Sequence, residues 1–498
     1  MKFYIGKKLG RNRLERPKTP QGVACFLLLK DNWNDYGAYS LFELELRDSD
    51  GVIHNIGTLK IIQKDRPDTT LPGPFEHLPD EYISLGQDLE FYSELLGACG
   101  FEIAVSALEA LNDISWAPDL SIPFETTSSF RNSLLRSSST DEARRHGRSI
   151  INGESIPESF SFEYAGKIPG AEATTKIEVA FEPNDAIPGR IVGIIGRNAV
   201  GKTQFLAQLA NDLAHSRRTS KETFDERISR FGGLRPSYNR VLAISYSAFD
   251  RFPRPKATNI SYVYCGIRDN DGRASKSYLL EKYRQGLERI KEHGREQLWV
   301  EAMLKILGSE NGQLEVLLSR EIQSDGGDVR DEELSILSSG QAILANFITS
   351  MLAWIETKTL VLFDEPEMHL HPNAVASLFH VFSKLLEKFD SYALIATHSP
   401  LVVQELPSSR VIVFSREGNL TEATRLPSET FGENLSDLMR HIFETYEIPS
   451  HYKKVLRQIS QKDSYDAALK RFPYGLSMNA RSYLLSCYNE DSGETDQR

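Results

Sequence analysis

Cysteine is scarce: Cys25, Cys99, Cys265 and Cys487 are spread over 498 residues without a CxxC pair. This excludes a disulfide-stapled scaffold and a sequence-local zinc site, and fits a reducing, cytoplasmic setting. Long apolar runs are missing too. The longest, Cys25 to Leu29 and Leu360 to Phe363, are strand-sized, far below the ~18 residues of a membrane span, so no integral membrane protein is expected. Lys7, Lys8, Arg11, Arg13 and Arg16 precede apolar Val23 to Leu29 as in a signal peptide. Lys30-Asp31 then stand where a small-residue cleavage site belongs, and that reading is set aside. Basic charge is in deficit, with 58 Lys and Arg against 69 Asp and Glu and a net charge of −11. A protein that coats nucleic acid by bulk charge is thereby disfavoured. Gly (33) and Pro (22) are near average, which excludes collagen-like and disordered chains.

At roughly 150 residues per domain the length allows two to four domains. Phe42, Leu44 and Leu46 alternate with Glu43, Glu45 and Arg47, and Asp48-Ser-Asp-Gly51 turns the chain into Val52 to Ile62, a β-hairpin. From Asp88 to Leu111 the apolar spacing is helical, interrupted near Gly97 and Gly100. Residues 1–125 thus read as an N-terminal β-rich module. Nine of the fifteen residues 126–140 are Ser or Thr, followed by Arg144, Arg145 and Arg148; residues 126–150 are expected to be a linker. An α/β core is expected over 151–420, with a helical lobe at about 215–335, and a helical C-terminal module over 421–498.

Gly196-Arg-Asn-Ala-Val-Gly201-Lys202-Thr203 fits GxxxxGK[ST] between an apolar strand, Ile191 to Ile195, and a helix. Such a P-loop wraps phosphates with the backbone N–H groups of Gly196, Arg197, Asn198, Ala199, Val200 and Gly201. Lys202 neutralises β/γ oxygens and Thr203 offers a hydroxyl to Mg²⁺. Thr359 to Phe363 is an apolar strand ending in Asp364-Glu365, a Walker B arrangement with one acid for Mg²⁺ and one for the attacking water. Leu394 to Thr397 is another apolar strand, ending on His398, whose imidazole is placed to reach a γ-phosphate. ATP and Mg²⁺ are the cofactors these residues call for.

Leu337-Ser338-Ser339-Gly340-Gln341 precedes a helical apolar pattern and lies 27 residues before Asp364. This order resembles the ATP-binding-cassette (ABC) class, in which such a signature completes the partner protomer's site, so a homodimer or higher homo-oligomer is implied. Asp364-Glu-Pro-Glu-Met-His-Leu-His371-Pro372 resembles the SMC-like and OLD ATPases rather than transporter cassettes. Together with Tyr246-Ser-Ala-Phe-Asp250 and the helical tail, residues 191–400 look most like the PtuA ATPases of Septu and retron-associated anti-phage systems. The resemblance implies a regulatory ATPase that gates a separate HNH endonuclease. Two departures stand out: Ala199 replaces a frequent Gly, and no Gln follows Val241 to Ser245 where a Q-loop would supply a Mg²⁺ ligand, leaving Ser247 or Asp250 as substitutes.

OLD-type relatives carry a Toprim nuclease, and Val411 to Glu417-Gly418 superficially matches its opening strand. Only 80 residues follow and none offers DxD, so Gly418-Asn419 reads as a hairpin turn and no intrinsic nuclease is expected. Residues 201–300 hold 19 Lys or Arg against 11 Asp or Glu. Arg217, Arg218, Lys221, Arg227 and Arg230, with Arg251, Arg254 and Lys256, would suit DNA phosphates. Two rival readings stand beside the gating ATPase: an SMC-like DNA repair or recombination ATPase, and a non-hydrolysing, ATP-clamped scaffold.

Overall fold

The structure is a computed structural model. It describes the chain apart from residues 9–13, 36–37, 136, 155, 157–159, 186, 215–220, 233, 248–251, 253–260, 270–272, 274, 308–317, 319–321, 323–338, 369, 444–450 and 494–498. The first six strands are β1 (Phe3–Lys8), β2 (Leu14–Glu15), β3 (Cys25–Asp31), β4 (Leu41–Arg47), β5 (Ile53–Gln63) and β6 (Tyr82–Gly86). They form one sheet of order β2-β1-β3-β4-β5-β6, antiparallel except for β1 beside β3. β4 and β5 are the hairpin expected from the alternating pattern. Helix α1 (Leu89–Ala110) starts where the Asp88 side chain accepts from the Phe91 amide, and Gly100 at φ 75° breaks it. Against the expectation from apolar runs, α1 is long and apolar enough to cross a bilayer. Here its Phe91, Tyr92, Leu95 and Leu108 are buried with the sheet residues Phe26, Leu44 and Ile61.

Residues 126–150 are not a linker. They include helix α2 (Ser138–Asn152), whose serines and threonines serve a capping box between Ser137 and Thr140. α2 packs on α1 so closely that a Cβ on Gly147 would stand 2.6 Å from Tyr92. Two of its arginines enter ion pairs, Arg144 with Glu356 at 2.9 Å and Arg145 with Asp141 at 3.3 Å, while buried Glu125 accepts from Arg240 and Arg289. Asn239 and Ser237 bond Asp141 and the Arg145 carbonyl. These contacts join the β-rich module to the α/β core, and Met1–Leu435 is one compact unit.

Strands β7 (Phe162–Gly166) and β8 (Thr175–Val179) form an antiparallel pair. The central sheet comprises β9 (Ile191–Ile195), β10 (Arg240–Ser245), β11 (Ser261–Gly266), β12 (Thr359–Asp364), β13 (Tyr392–Thr397), β14 (Val411–Glu417) and β15 (Leu420–Thr424) in the order β11-β10-β12-β13-β9-β14-β15. All are parallel except β15. β9, β10, β12 and β13 are buried throughout, as expected of strands covered on both faces. Helices α3 (Lys202–Leu213), α4 (Lys221–Ser229), α5 (Lys276–Glu292), α6 (Glu296–Leu307), α7 (Ser339–Trp354) and α8 (Pro372–Lys388) complete an α/β P-loop fold of the ABC type. The expected core boundary at 420 moves outward, because β15 pairs with β14 through the Gly418-Asn419 turn.

Helix α9 (Leu435–Phe443) buries Leu438 and Ile442 and leaves Leu435 and Met439 exposed. A second unit, Ser436–Arg498, holds α10 (His451–Ser460), α11 (Tyr465–Lys470) and α12 (Met478–Gly493) around Leu456, Ala468 and Leu484.

Candidate functional site

The parallel order brings the C-terminal ends of β9, β13 and β12 side by side, where the P-loop, His398 and Asp364-Glu365 follow their strands. Backbone conformation fixes the P-loop. Gly196 has φ 155° and a Cβ there would lie 2.3 Å from the Phe414 carbonyl oxygen; at Gly201, φ 100°, it would lie 2.5 Å from Ile168. Ala199, the residue that departs from Gly, holds φ 69°, a left-handed conformation that costs an L-residue about 1–2 kcal/mol. Glu365, at φ 50°, is held the same way, its N–H donating to the Ala396 carbonyl at 2.8 Å.

Lys202 is buried and its Nζ donates to the carbonyls of Gly196 (2.9 Å) and Arg197 (3.0 Å), curled into the loop it closes. Burial lowers its pKa, and Glu365, Asp364 and Glu367 oppose that shift. Thr203 Oγ1 donates to Asp364 Oδ1 at 2.9 Å. Asp364 is fully buried; burial pushes its carboxyl up to about 7, against the Thr203 hydrogen bond, and its Oδ2 has no hydrogen-bond partner among the described residues. A buried, orphaned carboxylate oxygen beside a hydroxyl is a donor set that fits Mg²⁺, a hard cation bound by oxygen.

His398 Nδ1 lies 3.3 Å from both Glu365 and Glu367, without the angle of a hydrogen bond, so the contact is chiefly electrostatic. The contact with Glu365 raises the imidazole pKa and holds the Glu365 carboxyl low. A cleft of about 610 Å³ is lined by Asn198, Ala199, Gly201, Lys202, Thr203, Ser247, Glu365 and His398, together with Pro169, Gln204, Met368 and Arg416. The expected P-loop, Walker B and histidine residues therefore converge, and Ser247 stands where a Q-loop ligand was sought. Asp250 lies outside the described residues.

Two residues here escaped the sequence reading. Glu367 accepts from the Thr397 hydroxyl and the His398 amide; its place in Asp-Glu-Pro-Glu was the available signal. Arg416 comes from β14 and is steered into the cleft edge by the Gly170 and Gly418 carbonyls, and no local pattern marks it. Gly340 and Gln341 open α7, whose Phe347 stacks on Phe363, and they do not line the cleft. Ser338 lies outside the described residues, as does the side chain of Ser339.

The basic cluster is divided. Arg227 and Arg230 pair with Asp212, which is fully buried, so these two are structural rather than open to phosphate. Arg217, Arg218, Arg251, Arg254, Lys256 and the side chain of Lys221 lie outside the described residues.

Residues 268–404 match the family described as "AAA domain, putative AbiEii toxin, Type IV TA system". Among solved structures, an SMC head bound to the C-winged helix domain of ScpA is 14% identical, with 54% of this chain and 98% of that chain covered and a TM-score of 0.30. An SMC head domain from Thermotoga maritima gives 12%, 54%, 100% and 0.29, and an ABC-transporter ATP-binding cassette in its ADP conformation gives 13%, 56%, 95% and 0.27. The fold itself is identified by the strand order and motif positions above. Protein ea59 of Escherichia phage lambda is 30% identical over 506 residues, covering 94% of this chain and 95% of that protein, and the chain belongs to the same family.

Proposed function

We propose that the chain binds and hydrolyses ATP as a closing homodimer and that its nucleotide state gates a separate HNH-type endonuclease in anti-phage defence. The observation that carries the ATPase reading is the Thr203–Asp364 hydrogen bond with the orphaned Asp364 Oδ2 beside it. In this reading Thr203 and Asp364 hold Mg²⁺, which when bound shields the phosphate charge. The P-loop amides, Asn198 and Lys202 grip the phosphates; Lys202 leaves the carbonyls it now occupies to do so. Glu365 orients the water and accepts its proton, and His398 approaches the γ-phosphate. Ser338, Ser339, Gly340 and Gln341 act on the partner's nucleotide, which agrees with Gly340 and Gln341 lying outside their own cleft.

The gating role rests on the resemblance of residues 191–400 to PtuA ATPases and on the C-terminal helical unit, which has a core of its own. DNA contact falls to the basic stretch 215–295, and the chain alone cuts no DNA. Steady-state turnover of wild type and Glu365→Gln tests the enzyme: the variant retains ATP and loses turnover. Undiminished hydrolysis in Glu365→Gln overturns the assignment. Co-expression with a co-encoded HNH protein, scored by nucleotide-dependent plasmid cleavage, tests the gating.

A further inference from the structure

Sheet order sets which way a nucleotide lies in the cleft. Asp364 and Glu365 close β12 and His398 follows β13, both on one side of the P-loop strand β9, while β14 adjoins β9 on the other side. The P-loop is walled on that second side too. A Cβ on Gly196 would meet the Phe414 carbonyl of β14, and one on Gly201 would meet Ile168, in the loop that joins β7 to β8. A nucleotide whose terminal phosphate faces Asp364, Glu365 and His398 therefore extends its nucleoside toward β14 and the 167–174 loop.

Pro169 of that loop and Arg416 of β14 line the cleft. Arg416 Nε donates to the Gly418 carbonyl at 3.1 Å, and Nη2 donates to the Gly170 carbonyl at 3.1 Å. Gly170, at φ 77°, comes so close that a Cβ there would stand 3.4 Å from Nη2. The two acceptors belong to different loops, one after β7 and one after β14, so together they fix the plane of the guanidinium as a single bond would not. Both are neutral carbonyls, which orient the group without cancelling its charge.

We infer that Arg416 is the base-binding residue of the nucleotide cleft, laying its guanidinium plane against the face of a purine, with Pro169 as an apolar neighbour. Planar guanidinium groups stack on nucleobases and add cation–π attraction. Stacking reads the face of a base rather than its edge, so adenine and guanine are both accepted. The inference rests on the P-loop reading above and adds to it how the nucleoside is held.

Calorimetric titration of ADP, GDP and inorganic pyrophosphate with Mg²⁺ separates base from phosphate, since none of the three carries a γ-phosphate to be hydrolysed. Arg416→Ala is expected to weaken ADP and GDP alike by roughly 10-fold or more, the scale of one lost base stack, and to leave pyrophosphate unchanged. Arg416→Tyr, which keeps a plane and drops the charge, should retain most of the ADP affinity. Should circular dichroism show Arg416→Ala unfolded, Arg416→Lys, which keeps the charge and loses the plane, carries the same expectations. Unchanged ADP affinity, a loss confined to one purine, pyrophosphate weakened in parallel in a folded variant, or Arg416→Tyr binding no better than Arg416→Ala overturns the inference. Lys202→Ala tests the underlying reading by itself: it should lose ADP and pyrophosphate together, and if it keeps both, that reading falls and the inference with it.

Discussion

Glu367 Oε1 accepts a hydrogen bond from the Thr397 hydroxyl at 2.7 Å and from the His398 amide at 3.1 Å, so the second acid of Asp-Glu-Pro-Glu fastens the Walker B loop to the strand that ends on the histidine. Glu367→Ala is expected to lower kcat roughly 10- to 100-fold, the scale of hydrogen bonds to a charged group, with little change in KM. Its carboxylate helps to raise the His398 pKa, so the alkaline limb of the kcat profile, where an imidazole facing the γ-phosphate loses its proton, should move to lower pH. A merely structural Glu367 would leave that limb in place.

Mixing experiments read the expected dimer. Gly340→Asp would set a carboxylate against the partner's γ-phosphate and repel it strongly at a closed, low-dielectric interface. Combined with Lys202→Ala protomers, it leaves one composite site per heterodimer intact, so part of the turnover should return. Heterodimers that form without any rescue would count against a signature acting in trans.

The Asp364 carboxyl, raised to about 7 by burial, makes metal binding pH-dependent. Its folded pKa lies above the ordinary value, so the folded apo-protein holds the extra proton and this group's contribution to stability falls as pH rises from about 4 through 7. Mg²⁺ needs the deprotonated form and should therefore bind more tightly between pH 6 and 8, releasing close to one proton at pH 6 and little above 8. Asp364→Asn should raise the apo-protein's Tm more at pH 8 than at pH 5. Calorimetry in buffers of different ionisation enthalpy, with thermal melts, checks both.

Arg227 and Arg230 separate packing from DNA contact. Their reversal to Glu strands buried Asp212 and should destabilise the fold by about 3–5 kcal/mol, seen in denaturant melts. Reversal of Arg217, Arg218 and Lys221 should spare stability and flatten the salt dependence of DNA binding by about one counterion per lost contact. An unchanged slope would assign those charges to a solvated face.

The P-loop, the Walker B acids and His398 were legible because each follows its own apolar strand, and the strand pattern also exposed the β4–β5 hairpin. Reading failed where one composition serves two purposes. Serine and threonine over 126–140 look like a linker, but Ser137 and Thr140 cap α2, whose Arg144 meets Glu356 far away in sequence. Arg227 and Arg230 look like phosphate ligands until Asp212 is seen buried between them. Ala199 was visible as a departure from glycine, whereas its φ of 69° is a property of the fold. Arg416 could not be found at all, since only the pairing of β14 with β9 brings it to the nucleotide cleft.

That pairing bears on how the protein is made. The P-loop strand β9 is flanked by β13 and β14, and Gly196 packs on the Phe414 carbonyl, so residues 191–201 gain these sheet neighbours only after some two hundred more have left the ribosome. Until then the loop lacks the two strands that flank it in the folded sheet. Completion of this cleft is thus postponed to a late stage of synthesis, once β13 and β14 have emerged.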